Sequence, residues 1–367
     1  MQTKARAAPH PIDRFPAADT RAAQIVSPTA APPIQRGNVQ VIANPISGRA
    51  GSRGVMDALS RKMSQAGLAV NIHTTRGPGE ARDVARRSGE KKVAALVVCG
   101  GDGTISEVVN GLAGSDVPVL LIPGGTENLL ARYFGFQLDA AFLWQVFRRG
   151  RTINLDVALH NGQRFLLVAG AGPDAEVVRL LSQQRRGHIS YWNYVAPILQ
   201  TLRDYQHPSL SVEADGILVH QGPAWVLVGN VPQYAMNLQL LHQARPDDGL
   251  LDLCIVPGRS NLSLLWHLWK ALLHEHQDSP TVIYRQARHI RIWSDDRVPL
   301  EVDGDVAGWL PAEFRLAEEK ARFIIPSQWQ MPNCHRHVTA SSRDPTGSAG
   351  PPKQDSEQKR LAPKDKP

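Results

Sequence analysis

The sequence predicts an α/β protein: an N-terminal parallel-sheet α/β domain, followed by a mostly antiparallel β-sandwich domain with helical insertions. Three observations predict it. Short apolar runs alternate with helix-spaced segments through the first half, and glycine-rich turns follow the strand exits. In the second half, strand-like runs seldom alternate with helices, which marks antiparallel pairing.

Residues 1–36 are rich in Ala and Pro and are expected to be a disordered tail. Val39 to Ala43 reads as a short apolar strand ending at a Pro/Ser/Gly turn. Gly54 to Ala66 has helical spacing through Val55, Met56, Leu59 and Met63. A strand over Ala69 to Thr74 and a helix over Glu80 to Arg87 follow. Val93 to Val98 is unbroken apolar, as expected for a strand covered on both faces. Thr104 to Leu112 and Glu127 to Phe134 are expected helices around a strand at Pro118 to Ile122. Beyond residue 150, strands are expected at 152–158, 165–169, 210–214, 225–230, 250–256, 282–283, 289–293 and 300–303. Helical insertions are expected near 177–205 and 262–276. The domains expected are thus 37–157 (α/β) and 158–326 (β-rich), with a second disordered tail at 327–367.

Composition excludes several classes. Apolar residues make up 42% and charged residues 20%, as in a soluble globular protein. No apolar run approaches the ~18–20 residues that a membrane-spanning helix needs. The start of the chain lacks the apolar core of a secretory signal. The net charge of +7 is concentrated in the tails, each carrying +3, which leaves about +1 for the body and argues against a nucleic-acid surface. Cys99, Cys254 and Cys334 have no paired spacing for zinc or redox chemistry and fit a reducing cytoplasm. The stripe of Leu262, Leu265, Trp266, Trp269 and Leu273 reads as core.

Three glycine-rich turns follow successive strands: Asn44-Pro-Ile-Ser-Gly48, Gly100-Gly-Asp-Gly-Thr104 and Pro123-Gly-Gly-Thr-Glu-Asn128. Each lies where a strand gives way to a helix, so free backbone N–H groups and the helix dipole favour an anion. Glycine permits close approach of a phosphate, and Ser47, Thr104 and Thr126 add hydroxyl donors. Three such turns at one edge of a parallel sheet predict a nucleotide site. Neither the G-x-x-x-x-G-K-[ST] spacing nor G-x-G-x-x-G is present.

The run from Gly100 to Leu112 (GGDGTISEVVNGL) resembles the signature of the diacylglycerol kinase catalytic domain family, which includes bacterial lipid kinases and the sphingosine and ceramide kinases. Asn44 to Gly48 resembles the family's first motif, and Pro123 to Arg132 its P-x-G-T-x-N-x-x-A-R motif. Ala244 to Asp252 (ARPDDGLLD) and Val302-Asp-Gly-Asp305 are similar to two later motifs, the last standing where the family usually has D-G-E. The five motifs occur in the family's order between residues 37 and 326. G-G-D-G-T alone also resembles NAD kinases and phosphofructokinases.

The resemblance implies an ATP- and Mg²⁺-dependent lipid kinase whose acceptor is a lipid alcohol at a membrane surface, such as diacylglycerol or a sphingoid base. It implies no nucleic-acid partner, and a cytoplasmic protein peripheral at the inner membrane face. By resemblance, Asn44, Pro45, Ile46, Ser47 and Gly48 line the nucleotide together with Gly101, Asp102, Gly103, Thr104, Ile105, Ser106 and Glu107. Thr75 and Thr126 take two further contacts. Phosphoryl transfer to an alcohol needs a base near the hydroxyl. Resemblance places it at Asp305, with Asp303 beside it; Asp305 is one methylene shorter than the usual Glu, so the role could shift to Asp303 or Asp102. Asp102 is also the expected partner of Mg²⁺ at the phosphates. Asp248, with the backbone carbonyls of Arg245 and Leu250, is implied as a second, structural Mg²⁺ site. Read without the resemblance, Asp303-Gly304 is a hairpin turn and Asp247-Asp248-Gly249 a solvated turn. Two other functions stay open: a kinase of a soluble acceptor (NAD or a sugar), and a catalytically silent nucleotide-binding regulator. Tyr191, Trp192 and Tyr194 are candidates for a lipid entrance.

Overall fold

Backbone hydrogen bonds sort the strands into two sheets in the computed structural model, which describes residues 37–47, 51–184, 191–234, 238–258, 260 and 281–331. The first sheet begins as expected from the apolar runs. Strands β1 (Asn38–Ala43), β2 (Ala69–Thr74), β3 (Ala95–Gly100) and β4 (Val119–Pro123) are parallel. They are joined by α1 (Ser52–Gln65), α2 (Glu80–Glu90) and α3 (Asp102–Gly111). Every residue of β3 and β4 is buried, because helices cover both faces of the sheet. α3 starts two residues before the expected Thr104, since Gly101 is extended and acts as the cap.

α4 (Leu129–Tyr133) precedes α5 (Ala140–Arg149) and β5 (Arg151–Leu155). α5 is not among the expected helices. Its nearly continuous apolar run hides the period, and the start signal is a single residue: Asp139 Oδ1 accepts the Phe142 N–H at 2.7 Å. Leu143, Val146 and Phe147 then point into the core.

The second sheet has eleven strands and is antiparallel. The hairpin β6 (Ala158–His160) and β7 (Gln163–Phe165) is followed by β8 (Val168–Ala171). Helices α6 (Pro173–Gln184) and α7 (Val195–Asp204) fill the expected insertion at 177–205, α6 starting four residues ahead of it. Then come β9 (Ser209–Ala214), β10 (Ile217–Gly229), β11 (Leu251–Pro257), β12 (Ile283–Ala287), β13 (His289–Trp293), β14 (Pro299–Val302), β15 (Asp305–Trp309) and β16 (Ala312–Leu316). The 13-residue β10 makes the sandwich. Its first half pairs with β9 in one leaf, and its second half with β8 and β11 in the other. Leu210, Val212, Val226, Leu253, Ile290, Leu300, Phe165 and Phe314 fill the space between the leaves.

β17 (Ala321–Ile325) returns to the first sheet and lies between β4, which it parallels, and β5, to which it is antiparallel. Residues beyond the expected boundary at 157/158 therefore complete the first sheet. The expected helix at 262–276, with its Leu/Trp stripe, lies outside the described residues, as do Gly48 and Cys334. Among the described residues, no helix is long and apolar enough to cross a membrane.

Candidate active site

The strand exits of the first sheet and the β14–β15 hairpin of the second line one cleft of about 770 Å³. On the first side the three glycine-rich turns hold one another. Asn44 Nδ2 donates to Thr104 Oγ1 at 3.0 Å, and Asn44 Oδ1 accepts the Ile46 N–H at 3.1 Å. Gly124 N–H donates to the Gly100 carbonyl at 2.9 Å. The second and third turns touch backbone to backbone: a Cβ placed on Gly125 would lie 2.5 Å from Gly101 Cα. No other residue type fits at that contact. Asn128, in left-handed conformation, locks the turn by accepting from Gly125 N–H and donating to the Gly125 carbonyl, both at 2.7 Å.

Asn44, Ile46, Ser47, Thr75, Gly101, Gly103, Thr104, Ser106, Glu107 and Thr126 all stand on the cleft wall. Pro45 is exposed in the turn before Ile46. Ile105 puts its side chain into the core, leaving its backbone at the start of α3. Glu107 Oε1 accepts the Gly79 N–H at 3.0 Å, which fastens a fourth glycine turn, Gly77–Gly79, to the wall. Asn110 Nδ2 donates to the Arg164 carbonyl at 3.0 Å and so ties α3 to the second sheet.

Three aspartates expected to share the chemistry have different surroundings. Asp102 is not on the cleft wall. Its Oδ2 accepts the Leu129 N–H at 3.1 Å at the start of α4, its Oδ1 is buried without a hydrogen-bond partner, and burial pushes its carboxyl up to about 6. Asp303 and Gly304 both have positive φ (51° and 83°), forming the tight hairpin turn that an Asp-Gly pair favours. The Asp303 carboxylate accepts from the N–H groups of Leu166, Leu167 and Val168 at 3.2, 2.9 and 3.3 Å. Burial still outweighs those bonds and raises it to about 6. Asp303 is thus the clamp between the hairpin and β8. Asp305 is exposed on the cleft wall, and its Oδ2 lies 3.8 Å from where a Cβ on Gly103 would be. Its carboxylate therefore faces the start of α3 across the cleft.

Arg82, Gln163 and Arg164 also line the cleft, and sequence reasoning passed over them. Arg82 follows the Gly77–Gly79 turn at the start of α2, so a glycine turn after a strand was the available signal. Arg164, 3.2 Å from Glu319, is delivered by the β6–β7 hairpin and had none.

Arg245, Asp248 and Leu250 lie apart from the cleft, beside β11. Asp248 Oδ1 accepts the Leu250 N–H at 3.1 Å, and burial raises the carboxyl to about 6. Asp156 and Asp252 complete the acidic neighbourhood. Asp156 accepts the Gly249 N–H at 2.8 Å and pairs with Lys320 at 2.7 Å. Asp252 bonds the Tyr284 hydroxyl at 2.6 Å, leaving its Oδ2 buried and unpartnered.

Residues 38–160 match the diacylglycerol kinase catalytic domain, and residues 167–325 match the YegS C-terminal NAD kinase beta sandwich-like domain. A diacylglycerol kinase of Staphylococcus carnosus (strain TM300) is 30% identical over 294 residues, covering 79% of this chain and 96% of that protein. The chain belongs to the diacylglycerol kinase family. A diacylglycerol kinase of Staphylococcus aureus (strain MRSA252) is 32% identical over 297 residues, with 80% and 93% covered. A crystal structure of a diacylglycerol kinase from Bacillus anthracis str. Sterne shares the fold at 22% identity with a TM-score of 0.60, covering 78% of this chain and 96% of that one. The protein is a kinase, a phosphotransferase with an alcohol group as acceptor.

In this kinase the β14–β15 hairpin rests on a buried acid pair. Glu301 of β14 and Asp174 of α6 meet over Gly170 of β8, where a Cβ would lie 1.8 Å from Asp174 Oδ2 and 3.0 Å from Glu301 Oε1. Glu301 Oε2 accepts the Gly304 N–H at 2.9 Å, and Asp174 Oδ2 accepts the Tyr234 hydroxyl at 3.0 Å. Asp303 and Asp305 face Glu301, while Tyr205 and Glu176 lie near Asp174. Burial, then the neighbouring Asp174, holds Glu301 well above the usual carboxylate range; burial raises Asp174 to about 6. A raised carboxyl contributes stability below its unfolded pKa and loses it as pH rises through the folded value. Wild-type thermal stability should therefore decline as pH rises from about 4 through about 6, where Asp174 ionises, and further as Glu301 loses its proton. Glu301→Gln keeps an acceptor for Gly304 and removes the charge, so its melting temperature should fall less over the same range. Parallel thermal denaturation series check this, and equal slopes would contradict it.

Proposed function

We propose that this kinase transfers the γ-phosphate of ATP to the hydroxyl of a membrane lipid such as diacylglycerol or a sphingoid base, working from the cytoplasmic side without spanning the bilayer. The observation that carries the reading is the placement of Asp305 opposite Gly103. A hydroxyl between them would meet a carboxylate on one side and, on the other, a terminal phosphate seated at the start of α3. The N-terminal N–H groups of α3 and the hydroxyls of Ser47, Thr104 and Thr126 would hold the phosphates. Asp305 would accept the proton of the acceptor hydroxyl as the phosphorus–oxygen bond forms. Arg82 and Arg164 add positive charge at the cleft, where the transferred group gathers negative charge.

Two places suit Mg²⁺. The buried, unpartnered Oδ1 of Asp102, set behind the cleft wall at the start of α3, would meet a cation at the phosphates through water. The Asp248 loop, with the carbonyls of Arg245 and Leu250 and the orphaned Oδ2 of Asp252 close by, fits a structural ion. Bound there, the metal would supply charge neutralisation at the phosphates and hold the loop before β11. Millimolar Mg²⁺ should raise the melting temperature of the nucleotide-free protein. Asp248→Asn should abolish most of that increment, and an unchanged increment would remove the second site.

Purified protein, labelled ATP and a panel of lipid alcohols in mixed micelles test the function, with mass spectrometry of the lipid extract as readout. A product heavier by one phosphate is expected. The sandwich-like second domain carries an NAD kinase comparison, so NAD in lipid-free buffer is the control. Phosphorylation of NAD and of no lipid would replace this reading.

A further inference from the structure

We propose that the outer edge of β15, with the neighbouring face of α7, seats this kinase on a phospholipid bilayer and admits the acceptor lipid to the cleft. The inference rests on the lipid-kinase reading above. The cleft has two unlike rims. Arg82, Gln163 and Arg164 are polar lining, whereas on the hairpin side Val302, Val306 and Ala307 are apolar lining beside Asp305, Val306 exposed and the other two packed on the core between the leaves. A lipid whose hydroxyl reaches Asp305 must lay its chains along the second.

That apolar rim continues outward. Among the described residues, β15 ends its sheet and pairs with β14 alone. Leu300 pairs with Gly308 but Glu301 with Val306, so Ala307 is an extra residue, a β-bulge. The bulge shifts the side-chain alternation by one and puts Val306 and Trp309 on the same face, the one that carries α6. Val306 is 43% exposed and Trp309 38%. α6 packs against both β15 and α7, and α7 exposes Val195 and Leu199, one turn apart, at 45% and 62%. Of these four, Val306 lines the cleft itself, and α6 links β15 to α7; exposed apolar side chains on neighbouring elements mark a docking surface.

The Arg297 guanidinium lies 4.0 Å from the centre of the Trp309 ring. An indole with a stacked guanidinium suits the boundary between acyl chains and phosphate headgroups, where tryptophan concentrates. Asp295 and Asp296 precede Arg297 on the exposed loop, so net charge does not drive the contact. Docking should therefore survive salt.

Vesicles of phosphatidylcholine and phosphatidylglycerol, with and without long-chain diacylglycerol, test this on the full chain. Trp309→Ser and Leu199→Ser should each weaken cosedimentation by roughly tenfold and lower vesicle turnover in parallel. Turnover of a monomeric short-chain diacylglycerol should stay at the wild-type level. Ile217→Ser, which alters an exposed apolar residue at the start of β10, is the control and should change nothing. The assignment is overturned if both test variants keep vesicle binding, or if 0.5 M salt (about five times the usual ionic strength of such assays) releases the wild type. It is also overturned if Trp309→Ser dissociates a dimer in light scattering with vesicle binding intact, because β15 then seats a second copy. If no diacylglycerol is phosphorylated in either form, the lipid-kinase reading fails, while cosedimentation still decides the surface.

Discussion

Asp305→Ala should lower kcat by roughly a thousandfold, the middle of the range for losing a general base, with nucleotide affinity and melting temperature at wild-type values. The residue is exposed, and its carboxylate faces the start of α3, so folding should lose little with it. Asp303→Ala, two positions away, should do the opposite. It strips the acceptor from three strand N–H groups and should cost about 2–4 kcal/mol of stability, with activity falling as the hairpin loosens. Single-turnover transfer from labelled ATP, calorimetry with a non-hydrolysable analogue and thermal denaturation separate the two. If Asp303→Ala lost turnover at an unchanged melting temperature while Asp305→Ala kept it, the base would be Asp303. Asp305→Glu is a further check, since the longer side chain restores the family's usual residue and should retain activity.

That contrast shows what one sequence can and cannot carry. The turns at Gly100–Thr104 and Pro123–Asn128 were legible because a phosphate-sized space at a strand exit demands glycine and a hydroxyl within a few residues. Asp303 was legible as a turn residue, which it is. Its partners at Leu166 to Val168 lie more than a hundred residues away, beyond any local pattern. Arg164 reaches the cleft only because β6 and β7 fold back beside α3, and Glu301 meets Asp174 only because β14 pairs with β8. β17 read as ordinary sequence after the sandwich, yet hydrogen bonds with β4 and β5 carry it back to the first sheet. Local chemistry marked the glycine-turn side of the cleft; the hairpin side is assembled by long-range pairing.

Gly125→Ala should abolish nucleotide binding, with at least a hundredfold loss of affinity, and cost about 1–3 kcal/mol of stability. The added methyl would lie 2.5 Å from Gly101 Cα and 3.1 Å from Asn128 Oδ1. Gly101 Cα is backbone and Asn128 Oδ1 is held by the Gly125 N–H, so the two glycine turns must part. Gly103→Ala separates loop geometry from loop occupancy. Its nearest neighbour would be Asp305 Oδ2 at 3.8 Å, an ordinary contact, so the fold should be undisturbed. The methyl would nevertheless stand where the terminal phosphate has to come, and affinity should drop at an unchanged melting temperature. Calorimetry and denaturation on both variants give four numbers. Wild-type affinity in Gly125→Ala would mean that the close approach of these turns has no part in holding the nucleotide. Wild-type affinity and turnover in Gly103→Ala would mean that the phosphate lies elsewhere, and the facing carboxylate of Asp305 would lose its significance with it.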